Sequence, residues 1–151
     1  MTRPPSECRI KAPWESTAPR TYSIVTGFFP ETAPRDTWAT NPRPLLVLGT
    51  ARHPDTGLIF CRVAYGTTQH LQRAHADDLV IGNMSLLDQL RLKRPTRFVL
   101  NPGRQMVIMP WTAEYFRPWS DSTTPIRSIL PEDMQRHVGA TIARLPDLPR
   151  F

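Results

Sequence analysis

The sequence predicts a mainly β domain finished by a single C-terminal helix, and three observations carry that reading. Seventeen prolines are spread along 151 residues. They argue against long helices, because an interior proline removes a backbone donor and clashes with the preceding turn. The apolar residues come in short runs rich in β-branched and aromatic types, bounded by Pro, Gly, Asn and Asp, as strands and turns require. Helical spacing shows only near the end of the chain, where Met134, Val138, Ile142 and Leu145 recur on one face.

Taken in order, residues 1–20 carry Pro4, Pro5, Pro13 and Pro19 among Ser and Thr and follow neither period. They read as an extended or flexible leader, with Trp14 packing on the single domain formed by residues 21–151. Residues 22–29, Tyr22-Ser23-Ile24-Val25-Thr26-Gly27-Phe28-Phe29, read as a strand ended by Pro30. Residues 30–42 form a long loop, and long loops in small domains are often functional. Arg43-Pro44 then opens Leu45-Leu46-Val47-Leu48-Gly49, a continuous apolar run of the core-strand kind. His53-Pro54-Asp55-Thr56-Gly57 is turn chemistry, so residues 58–65 return beside that strand as a hairpin, with Ile59, Cys61, Val63 and Tyr65 on one face and Arg62 on the other.

Residues 66–78 are polar, and Asp78-Leu79-Val80-Ile81 is a short strand. Residues 85–90 fit a strand or a helical turn, and periodicity does not decide between them. Residues 96–100 and 104–109 read as strands joined by the turn Asn101-Pro102-Gly103. Pro131-Glu132-Asp133 suits a first helical turn, because proline lacks only an unneeded donor and the acids meet the positive end of the helix. Pro146 stops the helix, and Ile142 is expected in the core, where truncation to Ala costs roughly 2–5 kcal/mol. Strands first and a helix last suggest a small barrel or curled sheet capped by one helix.

Composition narrows the function. The formal net charge is +6 and the isoelectric point about 10.1, a field that attracts polyanions such as RNA, DNA or an acidic protein. Arg91, Lys93, Arg94, Arg97 and Arg104 follow one another with no acid among them. Such a run is either a solvated face or a phosphate track with salt-dependent affinity. Tyr65, Trp111, Tyr115, Phe116 and Trp119 either stack unpaired bases or fill the core. Cys8 and Cys61 are too few for a disulfide framework, and Cys61 reads as a buried thiol. The N-terminus lacks the apolar stretch of a signal peptide, and no apolar run approaches the roughly 18 residues of a membrane span. The expected address is the cytoplasm, away from the membrane. Phosphate loops, dinucleotide fingerprints and zinc-ligand spacings are missing. His70 and His75 beside Asp77 and Asp78 read as surface residues. No metal and no cofactor is expected.

Two constellations remain. Arg43-Pro44 opens a core strand, and Tyr65-Gly66-Thr67-Thr68-Gln69 closes the next long one. The second is Leu86-Leu87-Asp88-Gln89-Leu90-Arg91. In this order they resemble the MazF/PemK (Kid) family of bacterial type II toxins, over roughly residues 22–145. The resemblance implies a small Src-homology-3-like barrel of the MazF/PemK/CcdB type with a C-terminal helix, acting as a homodimer. It implies a metal-independent endoribonuclease that cleaves single-stranded RNA and is neutralised by an acidic antitoxin. Arg43 then matches the family's catalytic arginine, and Thr67, with Thr68 the alternative, its catalytic hydroxyl residue. Gln89 and Arg91 match the Gln-Arg segment, and Gln69, Lys93 and Arg94 join them as RNA-binding candidates. The chain departs from the family in one loop, where Asp36-Thr37-Trp38-Ala39-Thr40 replaces the usual Gly-x-Glu-Gln element, and in its proline-rich leader.

The residue types suit the chemistry. Attack of a 2′-hydroxyl on phosphorus builds negative charge on the phosphoryl oxygens. A planar, bidentate guanidinium stabilises that charge, and a hydroxyl adds a further donor. A guanidinium is a poor proton acceptor near neutral pH, so Arg43 takes the electrostatic role and proton transfer is left open. Outside the resemblance, Arg43 reads as a strand-end surface residue and Thr67 as a turn residue. A barrel of the same fold that binds nucleic acid or a protein without catalysis is the alternative, since fold does not fix function.

Overall fold

The computed structural model describes residues 18–30, 41–69, 71–73, 75–119 and 122–151. Most of the leader with Trp14 and Cys8, the loop that carries Asp36 to Thr40, and His70 lie outside the described residues, as does the side chain of Arg104. What is described is mainly β with a C-terminal helix: β1 (Ser23–Gly27), β2 (Arg43–Arg52), β3 (Ile59–Thr67), β4 (Leu79–Ile81), α1 (Met84–Leu90), β5 (Thr96–Phe98), β6 (Val107–Pro110), β7 (Ile126–Ile129) and α2 (Glu132–Arg144).

The strands form one antiparallel sheet in the order β4-β5-β3-β2-β1-β7, with β6 also paired to β3. Its curl originates in β3. One edge of this strand follows β2 from Ile59 to Tyr65. Its other edge is divided, with Phe60 to Val63 against β6 and Gly66 and Thr67 against β5. A register shift between Val47 and Gly49 adds a bulge to β2, and a bulge increases local twist and bend. The result is a half-closed barrel.

Both faces of the central strands are buried. Ile24, Leu46, Leu48 and Ala64 join Leu87 and Leu90 of α1 and Val138 of α2 in one core. Val25, Leu45, Val47, Cys61 and Val63 point the other way and pack with Met109, Trp111, Tyr115 and Phe116 in a second. Two-sided burial explains the unbroken apolar run at 45–48, where a one-sided sheet would alternate. It also takes up four of the five aromatics, Trp111, Tyr115 and Phe116 within the second core and Tyr65 against it, and Trp111 and Phe116 lie with ring centroids 4.5 Å apart. Cys61 is a free, fully buried thiol, and burial pushes its pKa up to about 12.

The structure corrects several sequence expectations. The expected strand at 104–109 is β6 alone, because Gly103 to Gln105 make a 3-10 turn first. The strand at 96–100 stops at Phe98, after which Leu100 and Asn101 turn their amides to the Asp78 carboxylate. Of the two readings open for residues 85–90 the structure takes the helical one, α1: the Asn83 side chain accepts from the Leu86 amide and caps its start, as a first-turn orphan donor requires. In α2 the expected face is the buried one, but Val138 is fully buried whereas Ile142 only packs against the core from its margin. Truncating Ile142 is therefore expected to cost about 2 kcal/mol, the low end of the core range.

Candidate functional site

The β2–β3 ladder builds the site. Its register pairs Leu45 with Tyr65, and both strands run two residues further, to Arg43 and to Thr67. On its other side Arg43 pairs with Gly27 of β1. The ladder is tight at this end. A Cβ on Gly66 would lie 2.8 Å from the Pro44 carbonyl oxygen and 2.9 Å from Cε1 of Phe98, so a side chain there would force the strands apart. Gly66 thereby sets how closely the Arg43 and Thr67 strand ends approach.

Arg43 and Thr67 line one cavity of about 250 Å³, together with Asn41, Pro42, Pro44, Gly66, Thr68 and Gln69. The Nε atom of Arg43 is buried and has no hydrogen-bond partner among the described residues. Thr67 is half-buried, and its Oγ1 accepts a 3.1 Å bond from the Gln69 amide. That bond fixes the start of the turn and uses an acceptor lone pair, so the hydroxyl hydrogen is left to donate elsewhere. Thr68 and Gln69 are exposed at the rim.

A second cavity of about 460 Å³ adjoins the first and shares Pro42, Pro44 and Thr68 with it. Its lining holds Lys93, Arg94, Arg127 and Trp119, and among the described residues none that lines either cavity is acidic. Arg127 was not foreseen in the sequence. It lies on β7, its Nε donates to Thr26 Oγ1 at 2.7 Å and its Nη1 to the Arg91 carbonyl at 3.1 Å. Burial pushes its guanidinium down to about 10, which leaves it cationic at neutral pH. It stacks 4.7 Å from the centroid of the Trp119 ring, and the Lys93 ammonium lies 5.9 Å from the same centroid. The only sequence signal was a charge between two isoleucines of a short strand, and that pattern suits any half-exposed strand.

The remaining candidates are placed elsewhere. Gln89 and Arg91 are exposed at the end of α1 and line neither cavity. Arg91 closes the helix in the left-handed conformation, with φ 57°. Its contribution to the groove is its backbone carbonyl, which holds Arg127. Arg97 does not belong to a free phosphate track, because its Nη1 is 3.0 Å from the Asp78 carboxylate. Asp78 is equally committed: it also accepts from the amides of His75, Leu100 and Asn101. Among the described residues no three His, Cys, Asp or Glu side chains cluster in a way that would hold a metal ion, and no helix is long and apolar enough to cross a membrane. No protein-family model matches the chain, and no curated protein matches it.

Proposed function

We propose that this protein is an endoribonuclease of the MazF/PemK type, a Src-homology-3-like barrel that cuts single-stranded RNA without a metal ion and is neutralised by an acidic antitoxin. The observation that carries the reading is the meeting of Arg43 and Thr67 in one cavity. Chance placement on opposite faces of the sheet would have ended it. The adjoining cationic cavity supports the same reading, because a strand bound across Lys93 and Arg94 passes the Arg43 end of the groove.

In this reading the 2′-oxygen of the substrate forms a bond to phosphorus and the P–O5′ bond breaks, giving a 2′,3′-cyclic phosphate and a free 5′-hydroxyl. The proton lost by the 2′-hydroxyl is balanced by one gained at the 5′-oxygen. Arg43 stabilises the added charge on the phosphoryl oxygens, and the Thr67 or Thr68 hydroxyl donates to the same group. Single strands are preferred because in-line attack needs a flexible backbone and unstacked bases expose their edges. A homodimer fits the resemblance, and light scattering at micromolar concentration should give the mass of two chains.

The test is cleavage of mixed single-stranded RNA by purified protein in the presence of a chelator. Arg43→Ala should lose about 100- to 1,000-fold in rate and keep the wild-type melting temperature. Thr67→Ala and Thr68→Ala should each lose less, and the larger loss marks the working hydroxyl. Intact RNA at high enzyme excess, or equal cutting by Arg43→Ala, would leave the non-catalytic barrel as the reading.

A further inference from the structure

The larger cavity holds an indole ring that the catalytic reading does not use. Trp119 is half-buried in its wall, while Trp111, Tyr115 and Phe116 nearby in sequence are all consumed by the second core. Arg127 lies over the Trp119 ring at 4.7 Å and is itself fixed from two sides by Thr26 and the Arg91 carbonyl. A ring held this way against a fixed guanidinium presents a rigid aromatic surface inside a cationic cleft. At about 460 Å³ the cleft falls within the range of roughly 300–1,000 Å³ usual for small-molecule sites. Lys93 and Arg94 line the same cleft, where no carboxylate lies among the described lining residues, and they suit phosphate oxygens. Aromatic surface and phosphate-binding cations in one cleft are what single-stranded nucleic acid selects for, since every base has a π-face.

We infer that Trp119, positioned by Arg127, is the stacking platform for one nucleobase of single-stranded RNA, next to the nucleotide whose phosphate lies at Arg43 and Thr67. This rests on the ribonuclease reading for the identity of the strand, but it concerns binding and is measurable without cleavage. Two properties follow. Binding at this position should tolerate any base while requiring that a base be present. Arg127 acts as a positioning residue, so its loss should weaken the same contact that loss of the ring removes.

The probe is a fluorescein-labelled, fully 2′-O-methylated RNA octamer, which cannot be cut by 2′-hydroxyl attack, titrated by anisotropy. Trp119→Ala should weaken binding about 5- to 150-fold, the range for loss of one stacked base, and Trp119→Phe should keep most of the affinity. An abasic residue walked along the octamer should weaken the wild type most at one position. That position should become indifferent in Trp119→Ala and stay sensitive in Trp119→Phe, a result that a merely destabilised protein would not give. Identical abasic profiles for wild type and Trp119→Ala overturn the proposal. So does a Trp119→Ala variant that loses affinity for a decaglutamate peptide and none for the octamer, which would mark an acidic-protein site. If Arg43→Ala cuts RNA as well as wild type, the nuclease reading falls while the octamer profile still judges the platform.

Discussion

Arg97 and Arg127 lie on strands near opposite edges of the same curled sheet, and they end in opposite circumstances. Arg97 meets a fully buried carboxylate at 3.0 Å, and that carboxylate is also held by three backbone amides. Among the described residues Arg127 meets only neutral oxygens and the face of an indole. Both guanidiniums are partly desolvated. The first is a finished structural pair, with its opposite charge supplied by the chain. The second keeps a charge that the described residues do not neutralise, in a cleft open to solvent. In a basic chain, net charge therefore says little about the site. What separates structure from function is whether each cation has an anion of its own.

The largest expected effect breaks the finished pair. Asp78→Ala would leave Arg97 without its carboxylate and the Leu100 amide without its acceptor. Removing one partner of a buried pair costs about 3–5 kcal/mol, which is a large part of the stability of a small domain. Asp78→Asn keeps one carbonyl oxygen for an amide and should lose less. Urea denaturation measures both, and a shift below about 1 kcal/mol for Asp78→Ala would put this pair in the class of surface bridges. Neither variant changes a residue that lines the groove.

How much of this was legible in sequence follows the same division. Period and turn chemistry located β1 to β6 and the terminal helix, because apolar burial writes itself into alternation and spacing, but β7 (Ile126–Ile129), a short run with no fully buried side chain, went unread. Boundaries moved where a side chain took over the backbone: Asp78 ended β5, and Asn83 started α1. The juxtaposition of Arg43 and Thr67 was reached through resemblance, and in the structure the two residues line one cavity. Arg127 and the cleft around Trp119 were not legible, since Thr26, Lys93, Trp119 and Arg127 come from four separated parts of the chain. Arg97 was misread for the complementary reason. Nothing in a run of basic residues marks the one whose strand position turns it inward to a carboxylate nineteen residues earlier.

A smaller effect sharpens the open side of the comparison. Lys93 and Arg94 are exposed and line the groove, so replacing both with Ala should change stability by no more than about 0.5 kcal/mol. It should flatten the salt dependence of RNA binding. With about two fewer phosphates neutralised, the slope of log affinity against log salt concentration should fall in magnitude by about 1.4 for a single strand. Anisotropy titrations across a salt series read the slope directly, and an unchanged slope would remove these two residues from the phosphate path.

The smallest effect lies beside the Asp78 pair, at the exposed edge of the same structural region. Asp77 accepts from the Asn101 side-chain amide and from Arg144, each at 3.0 Å. Those partners, Asn101 first and Arg144 second, hold its carboxyl below the usual carboxylate range. A depressed folded-state value means that stability from the ionised group is fully present above the unfolded value of about 3.8 and is lost as pH falls through the folded one. The stability gap between wild type and Asp77→Asn should therefore be wider at about pH 6.5 than at about pH 3. Arg144→Ala should close only part of that gap, because the Asn101 amide also holds the carboxylate. Added salt should erode the Coulomb shares of Arg144 and His75 and leave the Asn101 hydrogen bond, since those charges face solvent. Urea midpoints at the two pH values decide the matter. A gap that is flat with pH, or an Arg144→Ala variant that removes all of it, would show that this edge is held together in a different way.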